Sequence, residues 1–162
     1  MTSWKRWMMV VVAGGLLISC ARAGIFDHPL MGKKAPDVTV FSMQGREVSL
    51  GSAVQGKKAI LFFWATWCPH CRSQLARLKA AQSGLKDAGV ALVLVDIAEP
   101  KRDVQRFLAQ KGFDFEVLLD REGEAAEEYR ISGVPSFVFV AADGKVRDVL
   151  HELPGDYLEI LK

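Results

Sequence analysis

The chain has 162 residues, half of them hydrophobic and a quarter charged, with a formal net charge of +2. That length fits one domain with ample material for a core. Lys5, Arg6 and Arg22 precede the first acidic residue, so the remainder carries 18 basic against 19 acidic side chains, and no basic patch or charge block points to nucleic acid or an acidic tail.

Lys5 and Arg6 open an apolar stretch over residues 8–19, broken only by Gly14-Gly15, which is the pattern of an export signal. It falls short of the roughly 20 apolar residues that a spanning helix needs. Two cleavage patterns fit it. Ala21-Arg22-Ala23 is a small-x-small site for ordinary signal peptidase. Leu17-Ile18-Ser19-Cys20 is similar to the bacterial lipobox, whose cysteine is lipidated and becomes the new N-terminus. The lipobox also accounts for the third cysteine, which is otherwise unpaired in an exported protein. An uncleaved membrane anchor is the third reading. All three place the rest of the chain in a periplasmic or other extracytoplasmic compartment, where disulfide chemistry is at home. Residues 1–23 are therefore expected to be the signal, 24–35 a linker containing Gly24, Pro29 and Gly32, and 36–162 the folded domain.

Val38-Thr39-Val40-Phe41 and Arg46-Glu47-Val48-Ser49-Leu50 flank Gln44-Gly45 and predict a β-hairpin. Lys57-Lys58 leads into an apolar central strand that ends at Trp64. Leu75, Leu78, Ala81 and Leu85 keep helical spacing over residues 69–87, with Arg72, Arg77, Lys79 and Lys86 turned outward. Residues 90–97 form a second continuous apolar run, suited to a parallel strand buried on both faces. An amphipathic helix follows over 100–111, closed by Gly112, then a short strand over 115–119 and a brief helix over 124–130. Residues 136–140 and 146–150 read as strands joined at the Asp143-Gly144 turn, and 154–161 as a last helix. The fold class is α/β.

The chemistry concentrates at Cys68-Pro69-His70-Cys71, where the central strand meets the long helix. Pro69 suits the first helical position, where its missing N–H is not needed. Cys68 then occupies the N-cap, where unpaired N–H groups and the helix dipole favour a negative charge. A thiol there is expected to lose its proton more readily than free cysteine, and the thiolate is the form that attacks disulfides. Cys71, three residues on, can close a bond with Cys68 or release a trapped partner. His70 sits between the two and is expected to stabilise the Cys68 thiolate. Asp96 is read as no more than a strand-end cap, Trp64 as core, and His28 and His151 show no partner.

Phe62-Phe63-Trp64-Ala65 followed by Trp67-Cys68-Pro69-His70-Cys71 resembles the thioredoxin superfamily, and Gly133-Val134-Pro135-Ser136 resembles its cis-proline loop. Ala35-Pro36-Asp37, Val93-Leu94-Val95-Asp96, the helix before Phe115, Leu119-Asp120 and Asp143-Gly144-Lys145-Val146 are similar to the exported, usually membrane-tethered TlpA/ResA-like branch. The resemblance implies a thioredoxin fold: a central mixed β-sheet flanked by helices, with an N-terminal hairpin and one inserted helix. It implies an extracytoplasmic thiol-disulfide oxidoreductase in which Cys68 is the nucleophile, Cys71 resolves, and Pro69 and His70 tune the pair. It further implies that Pro135 is cis and lies against the cysteines, that the Val134 backbone pairs with an extended substrate, and that Trp67 covers one side. The implied partners are exported proteins with thiols or disulfides, a membrane electron donor, and the membrane itself through a lipid on Cys20. No cofactor and no metal is implied.

Two departures bear on direction of electron flow. The branch often has glutamate three residues after the second cysteine, where this chain has Gln74. The Pro-His dipeptide is similar to that of the DsbA oxidase, so an oxidase or isomerase stands beside the branch's usual reductant, whose tasks include cytochrome c maturation. A thioredoxin-fold Cu(I) metallochaperone is a rival of another class, since two thiolates suit Cu(I). Structural zinc needs four ligands, covalent haem needs histidine where Arg72 stands, and a peroxiredoxin-type pattern needs proline where Leu61 stands.

Overall fold

The computed structural model describes residues 28–162. A helix-flanked sheet of seven strands runs through it: β1 Thr39–Ser42, β2 Glu47–Ser49, β3 Lys58–Trp64, β4 Val90–Ile97, β5 Val117–Asp120, β6 Ser136–Val140 and β7 Val146–Leu150. Their order is β2-β1-β5-β4-β3-β6-β7. β3 lies parallel to β4 and antiparallel to β6, and β4 lies parallel to β5, so the sheet is mixed. Between the strands run α1 Leu50–Val54, α2 Pro69–Asp87, α3 Lys101–Lys111 and α4 Glu124–Glu128, and α5 Tyr157–Ile160 follows β7.

The central strand is buried from Ala59 to Trp64, and its alternation divides the core in two. Ile60, Phe62 and Trp64 meet Leu75, Leu78 and Leu85 of α2 and Val104, Phe107 and Leu108 of α3. Ala59, Leu61 and Phe63 meet Leu50 and Val54 of α1 and Ala125 and Tyr129 on the other face. Phe62 stacks on Phe137 at 4.4 Å between ring centroids, so the strand that carries the site is gripped from its neighbour as well. The predicted hairpin, the two long helices and the Asp143-Gly144 turn are all present. α3 ends where Gly112 takes φ 66°, a left-handed conformation that glycine adopts without a steric cost.

Four boundaries differ from the sequence expectation. Leu50 does not continue β2 but opens α1, because the Ser49 hydroxyl accepts the Ser52 N–H at 2.9 Å and caps a short helix. The Asp37 carboxylate accepts the Ser49 hydroxyl at 2.6 Å and the Gly51 N–H at 3.0 Å, and it lies so near Gly51 that a Cβ there would stand 2.6 Å from Asp37 Cγ. The strand expected over 115–119 runs over Val117–Asp120, with Phe115 packed into the core ahead of it. α4 stops at Glu128 because Arg130 turns to φ 54°. α5 spans four residues, since Pro154-Gly155 does not hold helical conformation and Leu153 is bound elsewhere.

Residues 32–35 lie against the outer strand β7. The Gly32 N–H donates to the Val146 carbonyl and the Val146 N–H to the Lys33 carbonyl, both at 2.8 Å, and the Ala35 N–H donates to the Gly144 carbonyl at 2.9 Å. Among the described residues, no helix is long and apolar enough to cross a membrane. Cys20 and the expected signal over 1–23 lie outside the described residues.

Candidate active site

At the carboxyl end of β3 the chain leaves the sheet at Ala65 and turns into α2. The Cys68 N–H donates back to the Ala65 carbonyl at 3.3 Å, and Cys68 takes the N-cap with Pro69 in the first turn. Its Sγ accepts the Cys71 N–H at 3.1 Å, so a backbone donor points at the sulfur. Both cysteines are free thiols; Cys68 is 3% exposed and Cys71 fully buried. Burial, and then the hydrogen bond shared with Cys68, push the Cys71 thiol up to about 12. Cys71 therefore keeps its proton at neutral pH.

The loop before β6 comes against this pair. The Val134–Pro135 peptide is cis, and the Cys68 thiol donates to the Val134 carbonyl at 3.6 Å. The Ser136 hydroxyl braces the loop by donating to the Gly133 carbonyl at 2.7 Å. His151 supports it from behind: its Nδ1 lies 2.9 Å from the Pro135 carbonyl, which only accepts, so the proton sits on Nδ1. A groove of about 600 Å³ opens beside the cysteines, lined by His70, Gln74, Val134, Pro135, Leu150 and His151 among others. Trp67, the neighbour in sequence of the recessed Cys68, is 65% exposed.

Cys68, Pro69, His70, Cys71, Trp67, Val134 and Pro135 are thus brought to one end of the sheet. Five further residues at that end carry no motif of their own. Gln74, where the branch often has glutamate, is buried and accepts the Leu153 N–H at 3.0 Å, clamping α2 to the segment after β7. His151 holds the proline loop. Thr66 is fixed by Glu99, which accepts the Thr66 N–H and hydroxyl at 2.6 Å each, while Arg72 donates twice to the Thr66 carbonyl at 3.1 and 3.2 Å. The one signal available beforehand was the proximity of Thr66 to Cys68; its partner lies 33 residues away. Among the described residues, no group of three His, Cys, Asp or Glu side chains is placed to hold a metal ion.

A paired thiol at a helix start, facing a cis-proline loop on this sheet, defines the thioredoxin class of fold. Residues 31–149 match the AhpC/TSA family, and the chain belongs to that family. It is 29% identical to the thiol-disulfide oxidoreductase ResA of Bacillus subtilis over an alignment of 172 residues, covering 98% of this chain and 96% of ResA. Among solved structures, a thiol:disulfide interchange protein from Bacteroides sp. superposes with a TM-score of 0.67 at 27% identity, covering 79% of this chain and 84% of the other. A secreted Mycobacterium tuberculosis disulfide oxidoreductase homologous to E. coli DsbE superposes with a TM-score of 0.64 at 26% identity, covering 75% and 91%. The protein is a thiol-disulfide oxidoreductase of the thioredoxin superfamily, similar to ResA and DsbE.

Proposed function

We propose that the Cys68-Pro69-His70-Cys71 site reduces disulfides in exported proteins, with maturation of cytochrome c as one such task. The observation that carries this reading is the asymmetry of the pair. Cys68, 3% exposed, has a backbone N–H on its sulfur, while Cys71 is fully buried and keeps its proton. Cys68 as thiolate attacks one sulfur of a substrate disulfide, and the other sulfur leaves as a thiolate and takes up a proton. Cys71 then gives up its proton and attacks Cys68 Sγ, releasing the second substrate thiol and leaving a Cys68–Cys71 disulfide. Two electrons pass to the substrate, and a membrane thiol donor must return them. Pro69 and His70 tune the pair, Trp67 shields it, and the Val134–Pro135 loop offers backbone to an extended substrate segment.

The compartment and the anchor belong to the same reading. Residues 1–23 direct export, and lipid on Cys20 holds the domain over 36–162 at the membrane. The rival pattern, cleavage after Ala23, yields a free protein in the same compartment.

The test has two parts. Cys68→Ser is expected to bring disulfide exchange with a model substrate to background, and retained activity would sink the assignment. Equilibration of the wild-type pair against dithiothreitol is expected to give a potential near about −270 mV, the thioredoxin range, rather than about −120 mV, the range of DsbA. A value near the second would make the protein an oxidant.

A further inference from the structure

We infer that Asp96 is protonated in the folded protein and, by donating to Glu99, positions the loop that carries Cys68. The inference rests on the reading of Cys68 as the attacking sulfur.

Asp96 interrupts the otherwise apolar run of β4 just before its last residue, Ile97, and is fully buried. Neither of its oxygens receives a hydrogen bond of good geometry. The polar groups of Glu99 lie beside it: the carboxylate, and the backbone N–H, which acts in the opposite sense. Two ionised carboxylates cannot share a hydrogen bond, so one of the pair holds a proton. Glu99 already accepts from Thr66 through both oxygens, the arrangement an ionised carboxylate favours. The proton therefore belongs to Asp96. Burial, followed by Glu99, pushes the Asp96 carboxyl up to about 9, in agreement with that assignment.

The chain geometry is built for this contact. Ala98 takes φ 55° and donates its N–H to the Asp120 carbonyl at 2.8 Å, which folds Glu99 back over the end of β4 toward Thr66. A non-glycine residue in that region is uncommon and is held by its surroundings. Thr66 stands two residues before Cys68, so the chain of contacts from Asp96 through Glu99 to Thr66 ends at the reactive turn. Other charged groups face the pair from each side. Asp120 on β5 spends its carboxylate on the N–H groups of Ala125 and Ala126, and Arg72 on α2 is turned to the Thr66 carbonyl. Neither neutralises Asp96. From β3, the residue paired with Asp96 is Trp64, whose Nε1 is likewise without an acceptor. When Asp96 loses its proton, two anions meet in a dry site, Glu99 is driven off Thr66, and the turn loosens.

The test follows the reaction of the reduced protein with 2,2′-dithiodipyridine as pH is raised, for wild type and Asp96→Asn. The asparagine amide donates to Glu99 at every pH. We expect the wild-type rate to fall below its single-ionisation curve through about pH 9. The expected fall is about tenfold, the equivalent of one charge-assisted hydrogen bond of about 1.4 kcal/mol. Asp96→Asn should match wild type at neutral pH and show no such fall. Superimposable profiles for the two proteins would overturn the inference. A second measurement needs no variant: the infrared C=O stretch of a protonated carboxylic acid is expected in wild type at neutral pH and lost above about pH 9, and its absence at neutral pH also overturns it. Cys68→Ser run alongside separates the two readings. If that variant reacts normally the assignment of the site fails, whereas if it is inert and the profiles superimpose only the role of Asp96 fails.

Discussion

The carboxyl ends of β4 and β5 lie side by side and each carries a buried aspartate, yet the two are treated in opposite ways. Asp120 pairs in register with Ile97, next to Asp96, and is 3% exposed. It receives the Ala125 N–H at 3.1 Å and the Ala126 N–H at 2.8 Å, which fastens the start of α4 to the sheet. Asp96 is as deep and receives no hydrogen bond of good geometry. A buried carboxylate that receives N–H donors serves as a fastening, whereas burial without them favours the protonated form. Depth is therefore a poor guide to role. At one end of the sheet, the donor count separates the acid that fastens α4 from the acid beside the reactive turn.

The largest effect that could break this contrast is on stability against pH. The folded protein binds a proton at Asp96 that the unfolded chain loses above about 3.8, so wild-type stability should fall as pH rises from there to about 9 and level off beyond. The slope from this source is at most about 1.4 kcal/mol per pH unit. Asp96→Asn should lack it, as read from urea midpoints at several pH values, and an equal slope in both proteins would place the proton elsewhere. Asp114 and Asp143 are held below the usual carboxylate range by Lys79 and by the Lys145 N–H, respectively, so their contribution is lost only in acid and has the opposite sign. Asp120→Ala comes next. It strands two N–H groups at the start of α4 and should cost about 3 kcal/mol at neutral pH, with the exchange rate of the folded protein unchanged. A cost no larger than that of a surface substitution would erase the distinction. The smallest change is Thr66→Val, which removes the hydroxyl donor to Glu99 and leaves its N–H partner. It should cost about 1.5 kcal/mol, the worth of one bond to a charged group, as read from urea midpoints at neutral pH.

Much of this arrangement was legible in the chain itself. Proline after a cysteine at the head of a 3.6-residue pattern placed Cys68 at an N-cap, and unbroken apolar runs marked β3 and β4 as inner strands. Gly112 marked the end of α3. What escaped the sequence depends on partners brought from afar or on elements too short to show a period. α1 has five residues and one of them is glycine, so its cap, not its pattern, makes it a helix. Asp96 looked like a strand-end cap because a single acid after a hydrophobic run usually finds water or an N–H there. Its isolation appears only when Ala98 turns Glu99 back and Thr66 claims the Glu99 oxygens. His151 and Gln74 are likewise given meaning by the Pro135 carbonyl and the Leu153 N–H, 16 and 79 residues away.

The two outer strands carry a consequence for self-association. An exposed strand edge invites pairing with any extended chain. Here β2 is only three residues long, with Glu47 exposed, and the start of β7 is already paired to residues 32–35, where Lys34 also reaches the Asp143 carbonyl. A protein that exchanges disulfides with other proteins thus offers them little edge on which to nucleate an aggregate. On the proposed reading, an extended client would find its place at the groove beside Pro135, where pairing ends in electron transfer rather than in a growing sheet.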